Sequence, residues 1–296
     1  MREFTVLTHR RPDDTTHELL RLAEQAAAAG VTLRLDAEET RKHGLKSRPG
    51  LQVDAPVKED VELCLVLGGD GTILKALRLY SGTHVPVFAV NFGEIGFLAT
   101  VEPGEIEAGM RRALDGDFEL LRLPAIALNA SAEGSSAADD AGAVSARDAR
   151  SAVNDVAIHR KVGERVAEIA YEIGGEVVGN VRCDGLVVAT PAGSTGYNLA
   201  NGGPVMAWGV EGFVVSFIAP HSLTARALVV APGDRLTIHN RSLDALDIAL
   251  DGRPAGEIAP GAKLDARFVK DIGTIAQLPG SSFYRRLREK FGRLAS

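Results

Sequence analysis

The chain predicts an α/β N-terminal domain, doubly wound, followed by a β-rich, sandwich-like C-terminal domain. Three observations lead there. The near-continuous apolar runs Leu63 to Leu67 and Val85 to Val90 flank an apolar-periodic helix over 72–80, as in a parallel sheet covered on both faces. Beyond a helix at 103–115 the composition changes, and from Phe118 the apolar runs are short and turn-bounded. The 296 residues, 45% hydrophobic, suffice for one large core or two medium ones. The boundaries expected are 1–117 for the α/β domain, 118–275 for the β-rich domain and 276–296 for a C-terminal segment.

Phe4 to Leu7 reads as a short strand. Thr15-Thr-His-Glu18 is a capping box opening an amphipathic helix, ELLRLAEQAAAAG, closed by Gly30. Val31 to Leu35 alternates as a strand, whereas 37–59 carries charges, Pro and Gly without periodicity and reads as a loop. Helix 103–115 starts at Pro103 and stops near Gly116. The runs AVNDVAIHR, RVAEIAYEIGG, GLVVATP, ALVVAP, RLTIHN, LDIALDG and LDARFVK supply the β-rich part. Residues 131–150, SAEGSSAADDAGAVSARDAR, are low-complexity and read as a disordered hairpin insertion. The tail FYRRLREKFGRL places Phe283, Leu287, Phe291 and Leu294 on one face, a docked helix with a solvated basic side.

A net charge of −6 makes nucleic acid and anionic membranes poor partners. No stretch approaches 18 apolar residues and the N-terminus has no apolar h-region, so a cytoplasmic protein is expected. Cys64 and Cys183 form no CxxC pair and suit a reducing compartment. The seven histidines lack ligand spacing, so no protein-built metal site is expected.

The chemistry concentrates in three stretches. In LVLGGDG, Leu65 to Gly71, a buried strand runs into Gly68 and Gly69, then Asp70 and Gly71, ahead of a helix N-terminus that favours an anion. A bare carboxylate there repels phosphate, so Asp70 takes a proton, binds a metal or accepts a hydroxyl. A tight βα turn is the plain structural alternative. Asn154-Asp155 interrupts an apolar strand, a costly placement without partners, and an amide beside a carboxylate suits two ribose hydroxyls. A turn or bulge explains the pair equally well. Finally, Gly193, Ser194, Thr195 and Gly196 offer exposed amides and hydroxyls, and Tyr197 a ring on which a base stacks.

With these stretches in hand, the chain resembles the bacterial NAD kinases over essentially its whole length. The landmarks run in order: GGDGT at 68–72, NFGEIGFLA at 91–99, Asn154-Asp155, DGLVVATPAGSTGYNLANGGPV at 184–205, HSLTARALVVAP at 221–232 and Asp251-Gly252. The resemblance implies a phosphofructokinase-like first domain, a C-terminal segment packed back on it, and phosphoryl transfer from ATP or polyphosphate to the 2′-hydroxyl of NAD's adenosine ribose. Asp70 matches the general base. Gly68, Gly69 and Gly71 fall at the phosphate. Gly71, Lys75, Arg165, Arg182, Asp184, Ala192 and Arg253 match NAD contacts. Asn154 and Asp155 match the ribose pair, and Thr195, Gly196, Tyr197, Asn198, Leu199 and Ala200 match the adenine pocket. Mg²⁺ is implied with the donor, because no GxxxxGK[ST] motif is present. A homodimer or homotetramer is implied as well. A charged residue at 182 accompanies NAD over NADH. Gly196, where Ala is usual, and Asn198 depart from the family pattern and point to a roomier adenine pocket.

Lipid kinases and 6-phosphofructokinases also carry GGDG, but the lipid kinases' GTGN-type loop is absent and NFGEIGFLA is foreign to both. A non-catalytic NAD binder gains nothing from a carboxylate beside phosphate.

Overall fold

The computed structural model describes residues 2–92, 96–130 and 150–292. Gly93, Glu94 and Ile95 of the NFGEIGFLA stretch, the 131–150 insertion apart from Arg150, and Leu294 of the tail lie outside the described residues. The chain forms two compact units, Met1–Arg122 with Gly273–Ser296, and Leu123–Ile272.

In the first unit the elements are β1 (Arg2–Thr8), α1 (Thr16–Ala28), β2 (Val31–Arg34), α2 (Ala37–His43), β3 (Leu51–Gln52), β4 (Leu63–Gly68), α3 (Asp70–Leu79), β5 (Val87–Asn91) and α4 (Ile106–Asp115). The strands pair in parallel in the order β3-β2-β1-β4-β5. Side-chain alternation divides β4 between two faces. Leu63, Leu65 and Leu67 join a core built with Leu19, Leu22 and Ala23 of α1 and Met110 and Ala113 of α4. Cys64 and Val66 are equally buried and stand outside that cluster. Each fully buried aliphatic side chain contributes about 2 kcal/mol, which anchors the strand that carries the glycine turn. The strand order reverses between β1 and β4, and in open α/β sheets ligands bind at the carboxyl ends of strands beside such a switch point. The GGDG turn sits there.

Two local expectations are corrected. Residues 37–59 are not all loop: Asp36 accepts the N–H of Glu39 at 2.8 Å to cap α2, and Gly44 closes it at φ 61°. A seven-residue helix shows too little periodicity to stand out. The capping box at Thr15 does not form. A 3₁₀ turn over Pro12–Asp14 precedes the helix, and its Pro12 carbonyl accepts the Thr15 and Thr16 hydroxyls, while Glu18 pairs with Arg21.

The second unit runs from β6 (Glu119–Ala130), which starts in the first, through β7 (Arg150–Ala152), β8 (Asp155–Arg160), β9 (Ala167–Ile173), β10 (Glu176–Cys183), β11 (Gly185–Ala189), α5 (Tyr197–Ala200), β12 (Phe213–Ile218), β13 (Leu228–Val230), β14 (Leu236–Asn240), β15 (Leu246–Leu250) and β16 (Arg253–Ile258) to β17 (Lys263–Gln277). One sheet is antiparallel in the order β13-β12-β11-β8-β15-β16. Strands β10-β9-β14-β17 form another, with β6 paired to β17 and β7 to β6. A single core takes Val156, Leu186, Phe213 and Ile248 from the first sheet and Ile126, Ile169, Ile238 and Leu264 from the second. That is a sandwich, as expected. The end of β17 returns to the first unit, where Ile275 pairs in parallel with Val87 of β5. The last helix, α6 (Phe283–Phe291), follows.

Candidate active site

At the GGDG turn, β4 ends on Gly68, Gly69 is the extended N-cap residue of α3, and Asp70 is its first helical residue. The helix thus starts two residues before the expected Thr72. The N–H groups of Asp70 and Gly71 have no intrahelical acceptor, as at any helix start, and Gly71 is exposed. Such a terminus receives phosphate.

The Asp70 carboxylate is held by the backbone of residues 97 and 98. Its Oδ2 accepts the Phe97 N–H at 3.0 Å and its Oδ1 the Leu98 N–H at 3.3 Å. Gly96 makes room for it, since a Cβ there would stand 2.6 Å from Oδ1. Burial pushes the Asp70 carboxyl above the usual carboxylate range, while the two amides and the cations Lys290 and Arg286 pull it back in part. A half-buried carboxylate with raised basicity and two fixed donors suits proton acceptance.

In the second unit the Asn154-Asp155 pair marks a break between strands. β7 stops at Ala152, residues 153–154 bend, and β8 begins at Asp155. Asp251 holds that bend. It accepts the N–H of Asn154 at 2.7 Å through Oδ1, which Asp155 N–H also approaches at 3.3 Å, and the Val153 N–H at 3.3 Å through Oδ2. The Asp-Gly dipeptide explains how Asp251 gets there. Residues 251 and 252 have φ of 47° and 73° and join β15 to β16 as a two-residue hairpin, where both central positions need positive φ.

The Asn154 amide Oδ1 is buried without a hydrogen-bond partner, a costly arrangement that a ligand hydroxyl would relieve. Asp155 is buried, and burial plus the nearby Asp251 push its carboxyl up to about 7.

The glycine-rich loop closes on this bend. Thr190 donates its N–H to Asn154 O at 2.9 Å and its hydroxyl to Val153 O at 2.6 Å, and Gly193 N–H bonds back to Thr190 Oγ1 at 3.1 Å. Gly193 lies so close to the Asn154 backbone that a Cβ would overlap it. Ser194 is not an exposed hydroxyl. It is fully buried and donates to Pro191 O at 2.7 Å, so it builds the loop. Asn198 is likewise buried, its Nδ2 donating to Ser194 O and Pro204 O, both at 3.0 Å. The other adenine-stretch positions vary: Ala192 is buried, Thr195 and Leu199 are half-buried, and Gly196 and Ala200 are exposed. The Tyr197 ring is exposed and stacks on His159, with centroids 5.6 Å apart.

The remaining predicted positions are more scattered. Lys75 pairs with Glu38 at 2.9 Å on the surface of the first unit. Asp184 accepts from Arg160 Nε at 2.5 Å. Arg165 and Arg253 are exposed, as is Arg182 on β10 in the other sheet. Sequence reasoning named Asp251 only as a landmark and passed over His159 and the Phe97 and Leu98 amides. The Asp-Gly hairpin signal was present for Asp251. Backbone amides carry none.

Residues 8–118 match the family described as ATP-NAD kinase N-terminal domain, and residues 153–267 match ATP-NAD kinase C-terminal domain. The chain belongs to the NAD kinase family. Its reaction is phosphoryl transfer from ATP to NAD, giving NADP. An NAD kinase of Gemmatimonas aurantiaca is 33% identical over 274 residues, covering 92% of this chain and 89% of the relative. One of Lachnoclostridium phytofermentans is 30% identical over 297 residues, covering 99% of each. Two solved structures share the fold. Yeast NADH kinase complexed with NADH superposes with a TM-score of 0.84 at 21% identity, over 100% of this chain and 89% of that one. An NAD kinase from Archaeoglobus fulgidus in complex with ATP gives 0.71 at 22% identity, over 100% and 99%.

Among the described residues no helix is long and apolar enough to cross a membrane.

Proposed function

We propose that Asp70 is the general base of this NAD kinase and that Asn154 and Asp155 hold the adenosine ribose. The ribose 2′-oxygen attacks the terminal phosphorus of the donor, the bond to the ADP oxygen breaks, and the hydroxyl proton passes to Asp70. The observation that carries the reading is the Asp70 carboxylate, half-buried at a helix start and fixed by two amides. The N–H groups at the start of α3, with Gly68, Gly69 and Gly71 leaving the backbone bare, face the transferred phosphate. Asn154 Oδ1, buried and unpartnered, accepts one ribose hydroxyl, and Asp155 takes the other. Tyr197 offers its exposed ring to the adenine within the 195–200 segment, beside Ala192. Lys75, Arg165, Arg182, Asp184 and Arg253 act at the edges of the bound dinucleotide.

A divalent cation, Mg²⁺, accompanies the donor. Among the described residues no three His, Cys, Asp or Glu side chains gather as a cage, so the cation fits here as a companion of the donor phosphates. It would neutralise phosphate charge. We further propose a cytoplasmic homo-oligomer, dimer or tetramer, in which Asp184 approaches a neighbouring subunit's site.

The test is direct. Purified protein is given NAD, Mg²⁺ and either ATP or polyphosphate, and an NADP-specific dehydrogenase scores the product. Turnover with ATP that collapses in Asp70→Asn while NAD still binds is the expected result. NADP formation by Asp70→Asn at the wild-type rate refutes the base assignment.

A further inference from the structure

Two segments of the first unit hold Asp70 at one remove. The Phe97 and Leu98 amides that grip the carboxylate belong to a stretch whose residues 97–99 are buried. Its carbonyls therefore need donors. Arg286, near the start of α6, supplies them. One guanidinium nitrogen donates to Phe97 O at 2.9 Å and also to Ala99 O. The same helix grips the stretch twice more. Phe291 packs its ring against Phe97, with centroids 5.5 Å apart, and Lys290 pairs with Glu102 at 3.0 Å. Glu102 in turn accepts from Asn91 Nδ2 at the end of β5.

We infer that Arg286 is a positioning residue for catalysis: it clamps the Phe97–Ala99 backbone so that two amides aim at the Asp70 carboxylate. The inference rests on Asp70 being the base. A freely rotating carboxylate would sample geometries unable to take the ribose proton, and misplacement by about 1 Å costs up to 10²-fold in rate. The charged groups facing Asp70 are Arg286 and Lys290, both on α6, and Glu102 and Glu289 face Arg286 in turn. Removing Arg286 takes away one of the two cations and loosens the two amides. Both changes raise the basicity of Asp70, so the acid limb of the rate profile moves to higher pH.

The experiment compares wild type, Arg286→Ala, Arg286→Lys and Asp70→Asn as full-length proteins. The readouts are thermal melting, kcat and KM for NAD across pH, and amide exchange at Phe97 and Leu98. Expected for Arg286→Ala are a kcat loss of about 10- to 100-fold, a KM for NAD within about twofold, faster exchange at both amides and an acid limb shifted upward. Arg286→Lys keeps a cation and a single donor nitrogen without the planar fork, so it recovers part of the rate and most of the limb position. It carries the test alone if the alanine variant does not fold, a wild-type kcat with wild-type amide exchange then overturning the proposal. A kcat that falls only in step with the folded fraction, on an unmoved pH profile, also overturns it. Should Asp70→Asn be inactive while Arg286→Ala stays within about threefold of wild type, the clamp is wrong and the base assignment stands. A fully active Asp70→Asn overturns both.

Discussion

Asp70 is half-buried and Asp155 buried, both carboxylates stand at the ends of apolar strands, and desolvation raises both. Their neighbours differ in sign. Asp70 receives two backbone N–H groups and faces Arg286 and Lys290, whereas Asp155 faces another carboxylate, Asp251. No donor among the described residues reaches the Asp155 carboxylate. The lesson is that one desolvated side-chain type sits in two opposite electrostatic settings. Donors and cations keep the first ionisable. A like charge leaves the second poised to hold or lose a proton near neutrality and unsaturated until a ligand arrives.

The largest expected effect breaks the comparison at the first carboxylate. Asp70→Asn keeps the shape but accepts no proton, so kcat falls by about 10²–10⁴-fold while the dissociation constant for NAD stays near wild type. Retention of more than about a tenth of kcat would make Asp70 an orienting residue instead. At the bend the pattern differs. Asn154→Ala removes an acceptor needed in ground and transition states alike, so NAD binding and rate both weaken, by about tenfold, as calorimetry and steady-state kinetics would register.

The acidic pair sharpens the contrast through pH. With its carboxyl near 7, Asp155 loses its charge and part of its acceptor capacity as the pH drops through neutrality, and KM for NAD rises. Asp251→Asn removes the like charge and shifts that rise to lower pH, which KM profiles between about pH 5.5 and 8.5 would follow. Stability runs the other way. A carboxyl raised in the folded state binds protons the unfolded chain has released, so it costs stability as pH rises from about 4 to 7. Asp155→Asn removes that cost, and its gain in melting temperature should therefore be larger at alkaline than at mildly acidic pH. An equal gain at both ends would argue against a raised Asp155. The smallest effect concerns Arg182, exposed on β10: Arg182→Gly should raise use of NADH relative to NAD, and equal kcat/KM for the two in wild type would end that idea.

Much of this molecule is legible in the amino-acid sequence. The apolar strand runs, the Asp70 turn and the polar interruption at Asn154-Asp155 stand out because each violates or obeys a local rule: burial, glycine content, or a polar pair in an apolar strand. The short helix α2 did not, since seven residues with one capping Asp carry too few periods. The sequence sets Ser194 among exposed hydroxyls, but it is an internal strut, a distinction that depends on Met206 folding back over it.

What the amino-acid order determined alone was chemistry by kind: a carboxylate after two glycines, an amide beside an acid, a ring after a glycine-rich loop. Hydrophobic period and turn residues act within a few positions, so they survive in one dimension. Only the tertiary structure decided which groups answer which. The amides of Phe97 and Leu98 on Asp70, Asp251 against Asp155, and Arg286 on the carbonyls of residues 97 and 99 join positions 27 to 189 residues apart. Backbone donors look alike at every residue, and a charge acquires its sign of effect from whatever the fold sets beside it.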